Sequence, residues 1–182
     1  MQYLFGIDPG EHVGFASGTL EGGVFTFQSV QELTQDELFS WMETCLNPNY
    51  PAVIICEDYI IDPRPKSKGG SGYDHQWDKG VTLRQIGALE FLCQVNGWKF
   101  VLQSNYRKPA GYGFLGMKYV RGKRSMHSTD ALAHLMFYGV SNKLWEPVVR
   151  ETVVEPSVRP AGSRPKFRTE SHSVWRKPRT GE

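Results

Sequence analysis

The sequence predicts an α/β fold in which one mixed, five-stranded sheet is flanked by helices and followed by a disordered basic tail. Three observations predict it. Short apolar runs bounded by turn residues recur at Tyr3–Asp8, Ala52–Asp58 and Trp98–Leu102. The first of them is followed by two more strand-like runs, His12–Thr19 and Gly23–Val30, joined by the glycine-containing connection Leu20-Glu21-Gly22-Gly23. The remaining segments alternate with stretches of helical periodicity, giving the order β-β-β-α-β-α-β-α, which describes a sheet covered by helices.

The elements follow in order. Tyr3–Asp8 is a buried strand that ends at Asp8-Pro9-Gly10, where Pro and Gly demand a turn. After the meander, Thr34 is placed to cap a helix, with Glu37 three residues on as its capping-box partner. Leu38, Trp41, Met42 and Cys45 then recur at helical spacing, and Asn47-Pro48-Asn49-Tyr50-Pro51 stops the helix. Ala52–Asp58 is an apolar strand that turns acidic at its carboxyl end. Residues 62–80 read as a basic, glycine-rich loop. Val81–Asn96 is a second helix, apolar around much of its surface, with Gly97 as its stop. Trp98–Leu102 is a strand, Gln103–Arg124 an irregular basic and aromatic stretch, and Ser125–Val140 a third helix capped by Ser125 or Ser128. Beyond Leu144 periodicity ends and prolines recur, so the division is a domain over 1–144 and a disordered tail over 145–182.

Composition narrows the class. The chain has 182 residues, 40% hydrophobic, enough for one domain with a core. No run of about 18 apolar residues occurs, which excludes a helical membrane span. The first residues lack the basic stretch and cleavage site of a secretory signal, and Cys45, Cys56 and Cys93 are odd in number and far apart. A reducing, cytoplasmic setting without structural zinc or disulfides is expected. The net charge of +2 is unevenly spread: eight Lys/Arg face four Glu between Arg150 and Glu182, so the preceding body is mildly acidic. An acidic site with a phosphate-seeking arm has this pattern, as does a merely solvated tail.

The acids fall where chemistry would need them. Asp8 and Glu57 each end a strand, and neighbouring strands would bring both carboxylates to the sheet edge where open α/β sheets bind ligands. His127 and Asp130 are at i and i+3, on one face of the last helix, with Leu132, Leu135 and Met136 to hold that helix on the sheet. Each residue alone has a plainer reading: a turn, a strand-end acid, a packed histidine, a solvated aspartate. Together, three carboxylates and an imidazole repel one another unless cations or protons neutralise them. Oxygen-rich ligands suit Mg²⁺, and the histidine also suits Mn²⁺. Two such ions about 3.5–4 Å apart can drive phosphodiester hydrolysis.

GIDPG followed by Gly14, the apolar strand closing in Glu57, and HSTDALAHLMFYG near the end together resemble the RuvC-type Holliday-junction resolvases, collinearly over residues 1–141. The resemblance implies an RNase H-like fold and a homodimer that nicks four-way DNA junctions symmetrically with Mg²⁺, in recombination, repair or phage DNA processing. It matches Asp8, Glu57 and Asp130 to the family's metal-binding acids, and His127 to a position that is Asp or His. It matches VTLRQIGALEFLC to the helix of the family's dimer interface. Tyr59 and Ile60 stand where the family probes the junction with an apolar side chain.

The match has departures. The 62–80 loop is longer and more basic than the family pattern, which adds Lys66 and Lys68 as DNA-binding candidates and Trp77 as a stacking residue beside Tyr59. Leu102–His127 does not align, so Lys108, Lys118, Lys123 and Arg124 all stand as candidates for the family's basic residues. The tail has no family counterpart; it would bind DNA phosphates irrespective of branch shape. A short, diverged member of this kind suits a bacteriophage, working in the host cytoplasm.

Three other readings compete. Sugar-kinase or actin-like ATPases share the Asp-x-Gly strand turn but need a duplicated domain and a second phosphate loop. An RNase H-like nuclease acting on RNA–DNA hybrid or flapped DNA would use the same acids. A non-catalytic branched-DNA-binding module would keep them as structural groups.

Overall fold

A computed structural model describes residues 1–45, 50–59, 76–120 and 126–146, together with the backbone of 174–175. The strands are β1 (Gln2–Asp8), β2 (Val13–Glu21), β3 (Val24–Leu33), β4 (Ala52–Asp58), β5 (Lys99–Ser104) and β6 (Val174–Trp175). The helices are α1 (Gln35–Cys45), α2 (Gln76–Asn96), α3 (Lys108–Phe114) and α4 (His127–Ser141). The sheet order is β5-β4-β1-β2-β3-β6, with β1, β4 and β5 parallel and β2 and β3 antiparallel to their neighbours. The mixed five-stranded sheet with flanking helices is therefore the observed architecture, extended by a two-residue sixth strand.

Strand alternation divides the core into two layers. Phe5, Ile7, Val13, Phe15, Ile54 and Cys56 meet Leu38 and Met42 of α1 and Ile86, Leu89 and Cys93 of α2. Leu4, Ala16, Val53 and Ile55 meet Ala131, Leu135, Met136 and Tyr138 of α4. Even-numbered β1 positions and odd-numbered β4 positions thus face α4, and Asp8 and Glu57 continue these two rows. Ile7 pairs with Cys56 in parallel register, so the two acids follow side by side at adjacent strand ends.

The expected start of α1 is present. Thr34 N donates to Glu37 Oε2 at 2.7 Å and Glu37 N donates back to Thr34 Oγ1 at 3.3 Å, a reciprocal capping box. Several boundaries differ from the sequence reading; β3, for one, runs on to Leu33 and β5 to Ser104, past the expected Val30 and Leu102. α2 begins at Gln76, five residues before Val81, so the end of the 62–80 segment, Trp77 included, is helical backbone. Part of the segment read as irregular is a 3-10 turn (Asn105–Arg107) followed by α3. α4 starts after Met126, without a side-chain cap, whereas Ser125 or Ser128 was expected. Trp145, assigned to the tail, is 1% exposed and stacks on Phe25 at 4.3 Å between ring centroids. Within the tail read as disordered, Val174 pairs with Thr26 and Trp175 with Phe25 at the free edge of β3.

Glycines set how closely α4 is approached, Gly6 of β1 among them, where a Cβ would stand 2.2 Å from the Ala131 carbonyl oxygen. A Cβ on Gly14 of β2 would stand 1.9 Å from the His127 carbonyl oxygen, and one on Gly111 of α3 would stand 2.1 Å from that of Ala133. These obstacles are backbone, which cannot swing aside as a side chain can. Gly14→Ala should therefore cost about 1–3 kcal/mol, as overpacking does, and push the start of α4 off the sheet. Urea denaturation measures it, and wild-type stability for Gly14→Ala would contradict this packing.

Candidate functional site

The residues singled out from the sequence converge at the carboxyl ends of β1 and β4. Asp8 and Glu57 arrive from the sheet, and α4 lays His127 and Asp130 over them. His127 Nδ1 shares a proton with Asp8 Oδ2 at 2.6 Å. Its backbone N–H donates to Glu32 Oε1 of β3 at 2.9 Å, so an acid remote in sequence serves the uncapped N-terminus of α4.

Lys108, the first residue of α3, supplies the positive charge. Its Nζ lies 2.5 Å from Glu57 Oε2, 2.8 Å from Asp130 Oδ2 and 3.6 Å from Asp8 Oδ1. Of the two basic candidates among the described residues, Lys108 is held within the carboxylates and Lys118 is exposed beyond α3. Tyr59 is half-buried, its ring packed against the α1–α2 layer, which limits the face it can offer a base. Ile60, Lys66, Lys68, Lys123 and Arg124 lie outside the described residues, as does the side chain of Trp77.

Four polar side chains absent from the sequence reading support the cluster. Tyr112 Oη donates to Asp130 Oδ1 at 2.6 Å. His134 Nε2 lies 3.2 Å from Glu57 Oε2, and His134 Nδ1 lies 3.0 Å from Gln103 Oε1. Gln85 of α2 clamps the turn after Asp8, accepting from Gly10 N at 2.9 Å and donating to Gly10 O at 2.8 Å. His134 had a signal: with His127 and Asp130 it completes one helix face at spacings of three and four. Gln103 had one as well, since it pairs with Glu57 across β4 and β5 and points to the same side.

Burial governs the charges. Desolvation lifts the Asp8 carboxyl to about 7, helped by the neighbouring Glu57 carboxylate and opposed by His127 and Lys108. Glu57 is also penalised by burial, yet hydrogen bonds from His134 and Asp8 and the Lys108 charge hold it down at about 2. The two carboxyls thus titrate as a coupled pair, one raised and one lowered, and together hold a proton to higher pH than free carboxyls do. His127 is raised, first by its hydrogen bond to Asp8. Lys108 loses hydration through burial but is raised overall by Asp8, Glu57 and Asp130, so it stays charged.

The donor set is right for a hard divalent cation: three carboxylates face a single ammonium, an excess of negative charge on oxygen ligands. The described residues do not, however, present a ready ligand shell of three or more side chains. The point where the carboxylates meet is taken by the Lys108 ammonium, a cation in the place where a metal ion would compete.

No family model matches the sequence, and no curated protein matches it. Among the solved structures similar to the chain are two of a single protein. One is Thermus thermophilus RuvC in complex with Holliday junction substrate, at 15% identity and a TM-score of 0.47, covering 80% of this chain and 99% of that one. The other is Thermus thermophilus RuvC alone, at 17% identity and a TM-score of 0.45, covering 77% of this chain and 96% of that one.

Proposed function

We propose that this chain is a Mg²⁺-dependent, structure-specific endodeoxyribonuclease that resolves four-way DNA junctions by paired nicks. The observation that carries the proposal is the convergence of Asp8, Glu57 and Asp130 on one ammonium, with His127 on Asp8. Such a concentration of buried carboxylates at a sheet edge is a costly arrangement for a merely structural purpose and a suitable one for binding cations. The motif resemblance over residues 1–141 adds the substrate class.

Asp8, Glu57, Asp130 and His127 would hold two Mg²⁺ ions, with Mn²⁺ able to substitute. Bound cations would supply a water acidified towards neutrality and a Lewis acid for the leaving oxygen. The chain's own residues do the rest. Asp8 gives up its proton as the site loads, and His127 fixes the orientation of its carboxylate. Tyr112 holds Asp130 in place. Lys108 balances the acids until the site is filled and then offers its charge to a phosphate. The deciding experiment is a panel of four-way junction, flap, nicked duplex and RNA–DNA hybrid with Mg²⁺. Paired symmetric nicks in the junction are expected. Preference for hybrid or flap would move the substrate, and binding without cleavage of any substrate would leave only a binding module.

Proton and cation compete at Asp8. Below about pH 7 the carboxyl is protonated, and a cation must displace that proton. Mn²⁺ affinity should therefore rise at least about tenfold per pH unit up to pH 7, and less steeply above it where only His127, itself raised by Asp8, still has a proton to lose. Calorimetric titrations between pH 5.5 and 8 check this, and a flat profile below pH 7 would remove Asp8 from the ligands.

The active form is proposed to be a homodimer formed through α2. Thr82, Gln85, Ile86, Leu89 and Cys93 are buried against the body, while Leu83, Phe91 and Val95 are 41%, 64% and 65% exposed along another face. Rows of apolar side chains in water mark a contact surface. Phe91→Lys should raise the dimer Kd by about 30-fold, the effect of losing a hot spot of roughly 2 kcal/mol. Sedimentation at micromolar concentration reads it; a wild-type chain that stays monomeric with and without junction DNA would refute the dimer.

A further inference from the structure

The Gln103–His134–Glu57 chain points to a residue whose work is done on the site from behind. His134 is 0% exposed and Gln103 is 7% exposed, both on the α4 side of the sheet where the surrounding positions are apolar. Burying an imidazole and an amide is unfavourable unless their polar atoms are paired. Here they pair with each other and, at the far end, with one oxygen of Glu57. Leucine and methionine would fill the same space without that requirement, but they could not fix the orientation of a carboxylate.

The direction of the hydrogen bonds follows from donor counting. An ionised carboxylate only accepts, so the nitrogen facing Glu57 must carry hydrogen. Two arrangements satisfy the chain. In one, the ring carries both hydrogens and donates to Gln103 Oε1 and to Glu57 Oε2. In the other, the ring is neutral, and the Gln103 amide, turned by half a rotation, donates to Nδ1 while Nε2–H donates to Glu57. Both place a hydrogen on Nε2. The same Oε2 also takes the Lys108 ammonium at 2.5 Å, so the two donors together pin the carboxylate plane.

We propose that His134 is a positioning residue for Glu57, donating from Nε2–H to Oε2 and held in that orientation by Gln103. Its consequence for cation binding rests on the nuclease reading, whereas the hydrogen-bond direction does not. Partners of this kind fix ligand carboxylates, and their loss lowers metal affinity by roughly 10- to 100-fold.

Two measurements on the full-length chain test it. Nitrogen NMR of the histidine rings in metal-free protein should show His134 with Nε2 protonated; a neutral ring with hydrogen on Nδ1 alone would overturn the proposal. Mn²⁺ calorimetry on two variants gives the second. His134→Leu should bind Mn²⁺ about 10- to 100-fold more weakly, while His134→Gln, whose amide can reach with a donor, should recover most of that loss. Equal affinities for the two variants would also overturn it. Should His134→Leu fail to fold, Gln103→Met must still weaken Mn²⁺ binding by releasing the ring, and unchanged affinity would count against the proposal. If the wild-type chain takes up no Mn²⁺, the nuclease reading fails and the ring tautomer alone decides the role of His134.

Discussion

Asp8→Asn should lower the rate of junction cleavage by about three orders of magnitude, the effect of losing several kcal/mol of charge stabilisation at 1.36 kcal/mol per decade. The substitution keeps the shape of the side chain and an oxygen near His127. It removes the charge that a cation would use and the proton that Asp8 holds to about 7. Binding of the junction should survive, because the basic side chains proposed to meet phosphates, Lys108 among them, are unchanged. The variant should also fold at least as firmly without metal, since an uncharged amide is cheaper to bury than a carboxylate. Glu57→Gln and Asp130→Asn should lose activity to a similar degree. For His127→Ala a smaller loss is expected, because water can replace an imidazole as a ligand. Single-turnover cleavage of a labelled junction, beside a binding titration in Ca²⁺, separates the two effects. Wild-type cleavage by Asp8→Asn would show that the carboxylate cluster is not the active centre.

The parts of this site that could be read from sequence are those fixed by local pattern. Asp8 and Glu57 each follow an apolar strand at the position where the strand must turn, and strand parity then decides which layer they face. His127 and Asp130 share a helix face through simple spacing. The supporting residues were harder to see because their meaning depends on contacts distant in sequence. His134 lies among Ala133, Leu135 and Met136, where a histidine reads as an ordinary core residue until Glu57 is brought beside it. Gln103 reads as the first residue of an irregular stretch, and only its place in β5 beside Glu57 gives it a role.

α3 was missed because Gly111 and Gly113 lower helix propensity, although Pro109 near its start was a legible signal. Gly111 is tolerated because α4 passes where a Cβ would otherwise be. Without α3, Lys108 could not be distinguished from Lys118 or from the basic residues further along. Trp145 was lost to the tail because one aromatic residue after a helix carries no periodicity. Its stacking on Phe25 and its close approach to Gly139 reveal it as core.

Lys108→Met should have the opposite signature from Asp8→Asn. The ammonium is the counter-ion of the metal-free site, with only 12% of its side chain exposed and contacts to all three carboxylates. Removing one partner from a buried ionic cluster costs about 3–5 kcal/mol, because the charges left behind are neither hydrated nor paired. In a chain of this size that corresponds to a fall in Tm on the order of 10 °C. A divalent cation supplies the missing charge, so Mg²⁺ should restore most of the loss by binding the folded state alone. The variant should also bind Mg²⁺ about tenfold or more tightly than wild type, since two like charges 4 Å apart repel by about 4 kcal/mol at an effective permittivity of 20. Tight binding would not rescue cleavage, because the charge that Lys108 offers the phosphate is gone. Thermal melts of both proteins across a Mg²⁺ series give the answer. If Mg²⁺ raises the two Tm values by the same amount, lysine and metal do not compete for one place, and the cation binds elsewhere.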